Sequence, residues 1–439
     1  MFKETSKELL DFLSKSPTAF HAVENYRQIL NADGFKELLE SEHWDIVPGG
    51  KYYVTRNNTS ILAFKVGTKL ENYSFNIVTS HTDSPTFKVK ENAEIEVKNK
   101  YTQLNTEGYG GMLCATWLDR PLSIAGRVLV SEGNSIVTKL LNIDRDLLMI
   151  PNVAIHMNRA ANDGFKYNLQ VDMLPLLSAG DDRQKDFKQI IADELGVKKE
   201  DILGHDLYLY NRMAPSIWGA NEEFISAGHL DDLQCGFASL KALLAGYNDE
   251  SIDIMACFDN EEVGSGTKQG ADSTLLRDTL TRINNALGKT EEDYHRALAS
   301  SFMLSADNAH AVHPNHPEHT DVTNCTYMNE GVVVKSHAGQ KYTSDGVSMA
   351  VVKALASGAD VPLQYFANRS DKAGGSTLGN IAMAQASMNA VDIGLPQLAM
   401  HSSYETAGIK DTYYAISLMK ALFDSHIQET STHSLEIKR

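Results

Sequence analysis

Cysteine is scarce in this chain. Cys114, Cys235, Cys257 and Cys325 are far apart and include no C-x-x-C pair, which argues against a disulfide framework and against a thiolate zinc site. They read as small buried apolar residues. Long apolar runs are also missing, so no segment is expected to span a bilayer, and Met1-Phe-Lys-Glu leads into a polar, helix-like start without a signal-peptide core or cleavage site. Basic charge is in deficit, with 40 Lys plus Arg against 57 Asp plus Glu and a formal net charge of -17. That balance offers no footprint for nucleic acid and repels anionic lipid. A cytoplasmic protein with neither nucleic-acid nor membrane partners is the expectation. No solenoid-period repeat and no low-complexity tract is present.

At 439 residues the chain exceeds what one hydrophobic core usually supports, which predicts two domains or one domain carrying a large insertion. Ser16-Pro17, followed by Phe20, Val23, Tyr26, Ile29 and Leu30 and a stop at Asp33-Gly34, has the spacing of a helix. Lys51 to Thr55, Ser60 to Val66 and Tyr73 to Ser80 read as strands. From about Phe87 to Ala227 the pattern changes to short alternating runs broken by Gly and Asn, with one acidic helical stretch near Asp186 to Leu195. After Gly228 strands alternate with helices again. The predicted elements are a helix from Asp231 to Tyr247, strands at Ile252 to Phe258, Phe302 to Ala306 and Leu363 to Ala367, a helix from Ser376 to Met388, a strand around Gln397 to Met400 and a closing helix from Thr412 to Ser425. The fold class is therefore α/β, with a mixed, mostly parallel sheet flanked by helices and an inserted β-rich domain. Residues 1–88 and 229–439 would build the α/β domain, with 89–228 inserted between them.

Polar residues punctuate these apolar runs. His81, Asp259-Asn-Glu261-Glu262, Asp307 and His401 each follow a predicted strand, and the carboxyl edge of an open α/β sheet is where ligands bind. In His81-Thr-Asp83 an extended chain points both side chains to one face, so the imidazole can bind a metal while Asp83 accepts its other N–H. Asp231-Asp232 opens a helix, where a carboxylate caps the helix or bridges two cations. In Glu261-Glu262 one carboxylate can bind metal while its neighbour acts as base toward a water. Two histidines and three carboxylates with no thiolate suit Zn²⁺, Mn²⁺ or Co²⁺. His310, His313 and His316 read as loop or structural residues. Gly374-Gly-Ser-Thr-Leu-Gly379 lacks the Lys of a phosphate-binding loop and has no dinucleotide spacing.

Longer motifs carry a resemblance. Ser80-His-Thr-Asp-Ser-Pro85, Leu230-Asp-Asp, Phe258-Asp-Asn-Glu-Glu-Val-Gly-Ser265, Ser305-Ala-Asp-Asn-Ala-His-Ala-Val-His-Pro-Asn315 and Pro396-Gln-Leu-Ala-Met-His-Ser402 resemble the M18 metallo-aminopeptidases, the group of aspartyl aminopeptidase and aminopeptidase I. Trp117 to Val128 and Ala154-Ile-His-Met-Asn-Arg159 are similar to that family's inserted domain. The resemblance implies a fold of the di-zinc exopeptidase type and release of single N-terminal residues from peptides. It implies two Zn²⁺ per subunit, one held by His81, Asp231 and Asp307 and the other by Asp231, Glu262 and His401, with Glu261 as general acid/base. It also implies a homo-oligomer, typically a dodecamer, in which His156 serves a neighbouring subunit's site. Lys335 and Tyr342 are similar to residues lining the substrate side-chain pocket, and Lys335 would favour Asp or Glu there. The chain reads Asp231-Asp232 where aspartyl aminopeptidases commonly read Asp-Asn, and Lys372-Ala-Gly-Gly lacks that subgroup's cysteine. The same ligand chemistry serves di-metal carboxypeptidases and amide deacylases, which a substrate with a blocked N-terminus would separate from an aminopeptidase. A non-catalytic metal-binding assembly protein is the reading outside enzymes. Neutral N-terminal residues remain open as substrates alongside acidic ones.

Overall fold

The apolar runs become strands buried on both faces. The computed structural model describes residues 1–180 and 186–438. Ser60–Val66, Ser74–His81 and Ser251–Phe258 are buried at every position, as β-branched and aromatic runs between two helical layers should be. They belong to a nine-stranded sheet whose four central strands, Ser251–Phe258, Ser74–His81, Phe302–Ala306 and Asn389–Gly394, run parallel. Lys51–Arg56, Ser60–Val66 and Lys36–Leu38 extend one side, and Val332–Ser336 and Leu363–Ala367 the other.

Successive residues along these strands enter opposite cores. Val78 and Met255 pack with the helices Phe2–Ser14, Ala19–Ala32, Leu230–Ala245, Gly346–Gly358 and Asp411–Phe423, whereas Ile77 and Ile254 pack with Leu275–Ala286, Glu291–Ala299 and Leu378–Gln385. The period of two thus gives both faces a helical cover. A separate six-stranded sheet contains Thr86–Val97, Tyr101–Tyr109, Leu122–Glu132, Ser135–Asn142, Leu176–Ala179 and Ile202–Asn211. It has its own buried cluster around Phe87, Trp117, Ile124 and Leu207, and the helix Phe187–Leu195 packs there, capped by Asp186 as its acidic start predicts. Ser216–Trp218 and Phe224–Ala227 lie outside that sheet: Ser216–Trp218 pairs antiparallel with Phe224–Ala227, which pairs in turn with Glu405–Gly408 in a five-stranded sheet.

One sequence expectation is corrected by the topology. His401 does not end a strand of the parallel sheet. The segment before it, Pro396–Leu398, pairs antiparallel with Glu405–Gly408, and the place beside Phe302–Ala306 is taken by Asn389–Gly394. That strand carries Asn389, Asp392 and Gly394 and so does not read as an apolar run. Its Asp392 is tolerated inside because Ser305, Thr343 and Thr377 hydroxyls all donate to it.

Candidate active site

Parallel register sets the site. Phe258 lies opposite His81, and Asp307 follows directly on Phe302–Ala306, the other neighbour of the His81 strand. Beyond Phe258, Asn260 takes a left-handed φ of 63°, a conformation Asn accepts more readily than most residues. The chain reverses there into the short turn Glu261–Val263 and lays both glutamates against the strand ends. Asp231 arrives from the side: it and Asp232 have non-helical backbone ahead of the regular turns of Leu230–Ala245, and a cis peptide bond joins them.

The side chains converge on one point. His81 Nε2 stands 3.4 Å from Asp231 Oδ1. His401 Nε2 stands 3.5 Å from Asp231 Oδ2 and 3.4 Å from Glu262 Oε2. Two groups of three donors result, His81–Asp231–Asp307 and Asp231–Glu262–His401, with the Asp231 carboxylate common to both and each group's donor atoms within 4.8 Å of one another. His81, Glu261 and Glu262 make a third such grouping.

This donor set fits divalent metal. Asp231 Oδ1 and Glu262 Oε1 are buried without a hydrogen-bond partner, which is costly unless something else satisfies them. Ligand atoms held ~2.0–2.1 Å from a tetrahedral zinc ion stand ~3.3–3.4 Å apart, the spacing seen between these nitrogens and oxygens. Without cations the carboxylates disturb one another. Burial, opposed by His81 and reinforced by Asp307, pushes the Glu261 carboxyl up to about 8, and burial beside Asp231 pushes Glu262 well above the carboxylate range. For Asp231 burial acts the same way, yet the flanking His401 and His81 outweigh it and hold the group below its ordinary value.

Asp83 differs from its expected part. His81 Nδ1 is 3.0 Å from the Asp83 backbone carbonyl and 3.4 Å from its carboxylate, so the carbonyl is the closer orienting partner. The Asp83 carboxylate accepts the backbone N–H groups of Glu261 and Glu262, both at 3.1 Å, and the Tyr109 hydroxyl at 2.7 Å. Asp83 thereby holds the two-glutamate turn. His156 is not brought to the cluster. It lies in an exposed stretch and, among the described residues, has no hydrogen bond or ion pair to the residues above. Lys335 is buried, donating to the Asn308 carbonyl at 2.8 Å and lying 3.4 Å from Asp307 Oδ1, with its ammonium over the Tyr342 ring.

Several residues of the site escape sequence reasoning. Glu405 is buried and accepts the backbone N–H of Asp231 at 3.0 Å and of His401 at 2.8 Å, fixing two donors with one carboxylate. Its position four residues after His401 is its one sequence signal. Tyr109, from the six-stranded sheet, donates to Asp83 and accepts from Asn260 at 2.8 Å. The glycines around it mark a close approach: Gly110 has φ 73°, and a Cβ there would lie 3.2 Å from that of Glu262. The Gly111 carbonyl takes His401 Nδ1–H at 2.6 Å, leaving Nε2 to face Asp231 and Glu262. Asp232 sits beneath, accepting the His81 N–H at 3.2 Å. Burial, opposed by His81 and aided by Asp307 and Asp231, raises its carboxyl well above the usual range. In shape its side chain is nearly isosteric with Asn, the residue that the resemblance to aspartyl aminopeptidases would place there.

Known proteins resemble this chain in sequence and fold over nearly its whole length. Residues 12–423 match the family described as aminopeptidase I zinc metalloprotease (M18). A probable M18 family aminopeptidase 2 of Clostridium novyi (strain NT) is 48% identical over 425 residues, covering 95% of this chain and 98% of that protein. Among solved structures, the complex of Ape4 and Nbr1 has a TM-score of 0.93 at 35% identity, covering 96% of this chain and 86% of that one. The S. cerevisiae mApe1 dodecamer has a TM-score of 0.83 at 28% identity, covering 96% and 97%. With both sequence and fold matched from the first helix to the last, the chain belongs to the M18 family and is a metallo-aminopeptidase.

Proposed function

We propose that this aminopeptidase works with two Zn²⁺ per chain, one held by His81, Asp231 and Asp307 and the other by Asp231, Glu262 and His401. The observation carrying this reading is the pair of three-donor groups that share the Asp231 carboxylate. Bound there, the cations supply Lewis acidity toward the scissile carbonyl and lower the pKa of the attacking water; Co²⁺ and Mn²⁺ suit the same donors. Glu261 is the proton carrier. Its carboxylate takes a proton from the attacking water and passes it to the departing amine. Asp83, with both its oxygens on the N–H groups of Glu261 and Glu262, keeps carrier and ligand in register. Glu261→Gln should retain zinc and lose turnover by about 10²- to 10⁴-fold; retained turnover would refute the assignment.

Substrate choice rests on Lys335 and Tyr342. Two of the three Lys335 donors face Asp307 and the Asn308 carbonyl, and the third is assigned to the side-chain carboxylate of an N-terminal Asp or Glu. A panel of aminoacyl chromogenic substrates tests this, and preference for leucyl over aspartyl substrates would overturn it. We further assign residues 89–228 to an inserted unit that builds a homo-oligomer, the dodecamer by likeness, and lends His156 to a neighbouring site. Support comes from the exposed apolar side chains Val153, Ile155 and Met157 beside it in the sequence, and Val171 further along the same unit, a pattern that marks association surfaces. Mixed oligomers of His156→Ala and Glu261→Gln chains should regain activity that neither variant has alone; no recovery would count against the assignment. A cytoplasmic setting agrees with the four free thiols. No described helix is long and apolar enough to cross a membrane.

A further inference from the structure

We propose that this chain carries another divalent-cation site, outside the active site, formed by His316, Glu318 and His319. The three residues offer ligand atoms within 4.8 Å of one another and share none with the central donors. His316 Nδ1 lies 3.0 Å from Glu318 Oε1, and His319 Nε2 lies 4.0 Å from the same oxygen. The two imidazole rings are stacked, 5.4 Å between centroids and 28° apart. The carboxylate therefore stands at the edge of both rings, where a cation meets two nitrogens and an oxygen.

The backbone holds this arrangement without an ion. Pro317 opens a single turn, Pro317–His319, that ties His319 N–H to the His316 carbonyl at 3.2 Å, and proline's fixed φ limits the ways the turn can open. The His316 N–H is tied in turn to the His313 carbonyl at 3.0 Å. Arg369, from the segment after Leu363–Ala367, donates to the Glu318 carbonyl and anchors the turn from outside. The His313 ring packs against that of His316, with centroids 5.4 Å apart and planes tilted by 38°. Its Nδ1 accepts the Asn315 N–H, so it supports the ring of His316 and is not counted as a ligand.

Two imidazoles and a carboxylate, with water completing the shell, select a borderline cation of the zinc, nickel and copper class over calcium or magnesium. On entry the cation replaces the proton between His316 Nδ1 and Glu318, and that proton moves to His316 Nε2, leaving the imidazole neutral. The turn also walls a cavity of about 260 Å³ whose opposite side includes Ala399 and Met400, next to His401. All three ligands are exposed, so substitution there leaves the core untouched.

The test is equilibrium dialysis of the zinc-loaded enzyme against Zn²⁺, followed by metal analysis, for wild type and the His316→Ala/His319→Ala double variant. Wild type should retain one more zinc per chain, with equal aminopeptidase activity and equal thermal stability before dialysis. Glu318→Gln should weaken that ion by at least about tenfold. Equal zinc content in wild type and double variant overturns the proposal, and an unaltered affinity in Glu318→Gln overturns the three-ligand set. A different number of ions at the central donors shifts all three proteins alike and leaves the comparison intact.

Discussion

Tyr109→Phe removes a single hydroxyl, and with it two hydrogen bonds, between the two large sheets. The Tyr109 hydroxyl donates to Asp83 Oδ2 at 2.7 Å and accepts from Asn260 Nδ2 at 2.8 Å. Removing it deletes a hydrogen bond to a charged group, worth about 1.5–3 kcal/mol, and deprives the Asn260 amide of an acceptor. Asp83 still holds the Glu261 and Glu262 N–H groups, so the turn should loosen without collapsing. If the whole loss falls on the placement of Glu261 in the transition state, it converts to about 10- to 160-fold in kcat at 1.36 kcal/mol per decade. Tyr109 touches no substrate in this reading, so KM should move by less than about twofold. The assay is steady-state hydrolysis of a chromogenic aminoacyl substrate at saturating zinc, with thermal denaturation alongside. A kcat within about twofold of wild type would refute the idea that the six-stranded sheet positions the proton carrier. A lowered melting temperature with unchanged kcat would refute it equally, by showing a merely structural bond.

Asp232→Asn should be nearly silent, with kcat/KM within about threefold of wild type, because the side-chain amide oxygen of Asn can accept the His81 N–H as the Asp232 carboxyl does; loss of zinc in that variant would show that Asp232 acts as an anion. Chelation should abolish activity and lower the melting temperature, since Asp231, Glu262 and Asp307 are then left crowded. Zinc should restore both, and an unchanged melting temperature would argue against cations at these donors. His21, beside the Thr18 hydroxyl at 2.9 Å, has its pKa lowered by burial to about 4, Glu24 only partly opposing. Its neutral form therefore contributes stability that is present above pH ~6.5 and lost as pH falls toward 4. In melting curves across that window, His21→Gln should lose less stability on acidification than wild type, and parallel curves would refute the assignment.

Much of the site was legible because its chemistry needs particular residue types at the ends of apolar runs. His81, Glu261, Glu262 and Asp307 follow strands whose burial on both faces demands continuous apolar sequence, so the polar residue that ends each run stands out. Asn389–Gly394 was illegible for the converse reason: a strand that buries Asp392 in a hydroxyl cage lacks the apolar signature. Tyr109 and Glu405 act through hydrogen bonds to backbone or to another side chain across large sequence separations, and neither residue type is rare enough to announce that.

The sequence alone determined the α/β class, three of the four central strands, the helices Ala19–Ala32, Leu230–Ala245 and Asp411–Phe423, and the residue types offered as metal donors, because periodicity and ligand type are local properties of the chain. Tertiary structure decided which strands are neighbours, that His401 arrives from a different sheet, that Asp83 clamps the Glu261–Glu262 turn, and that Glu405 joins Asp231 to His401. Those contacts depend on strand order and register, which arise from the packing of the whole chain and are encoded at no single position.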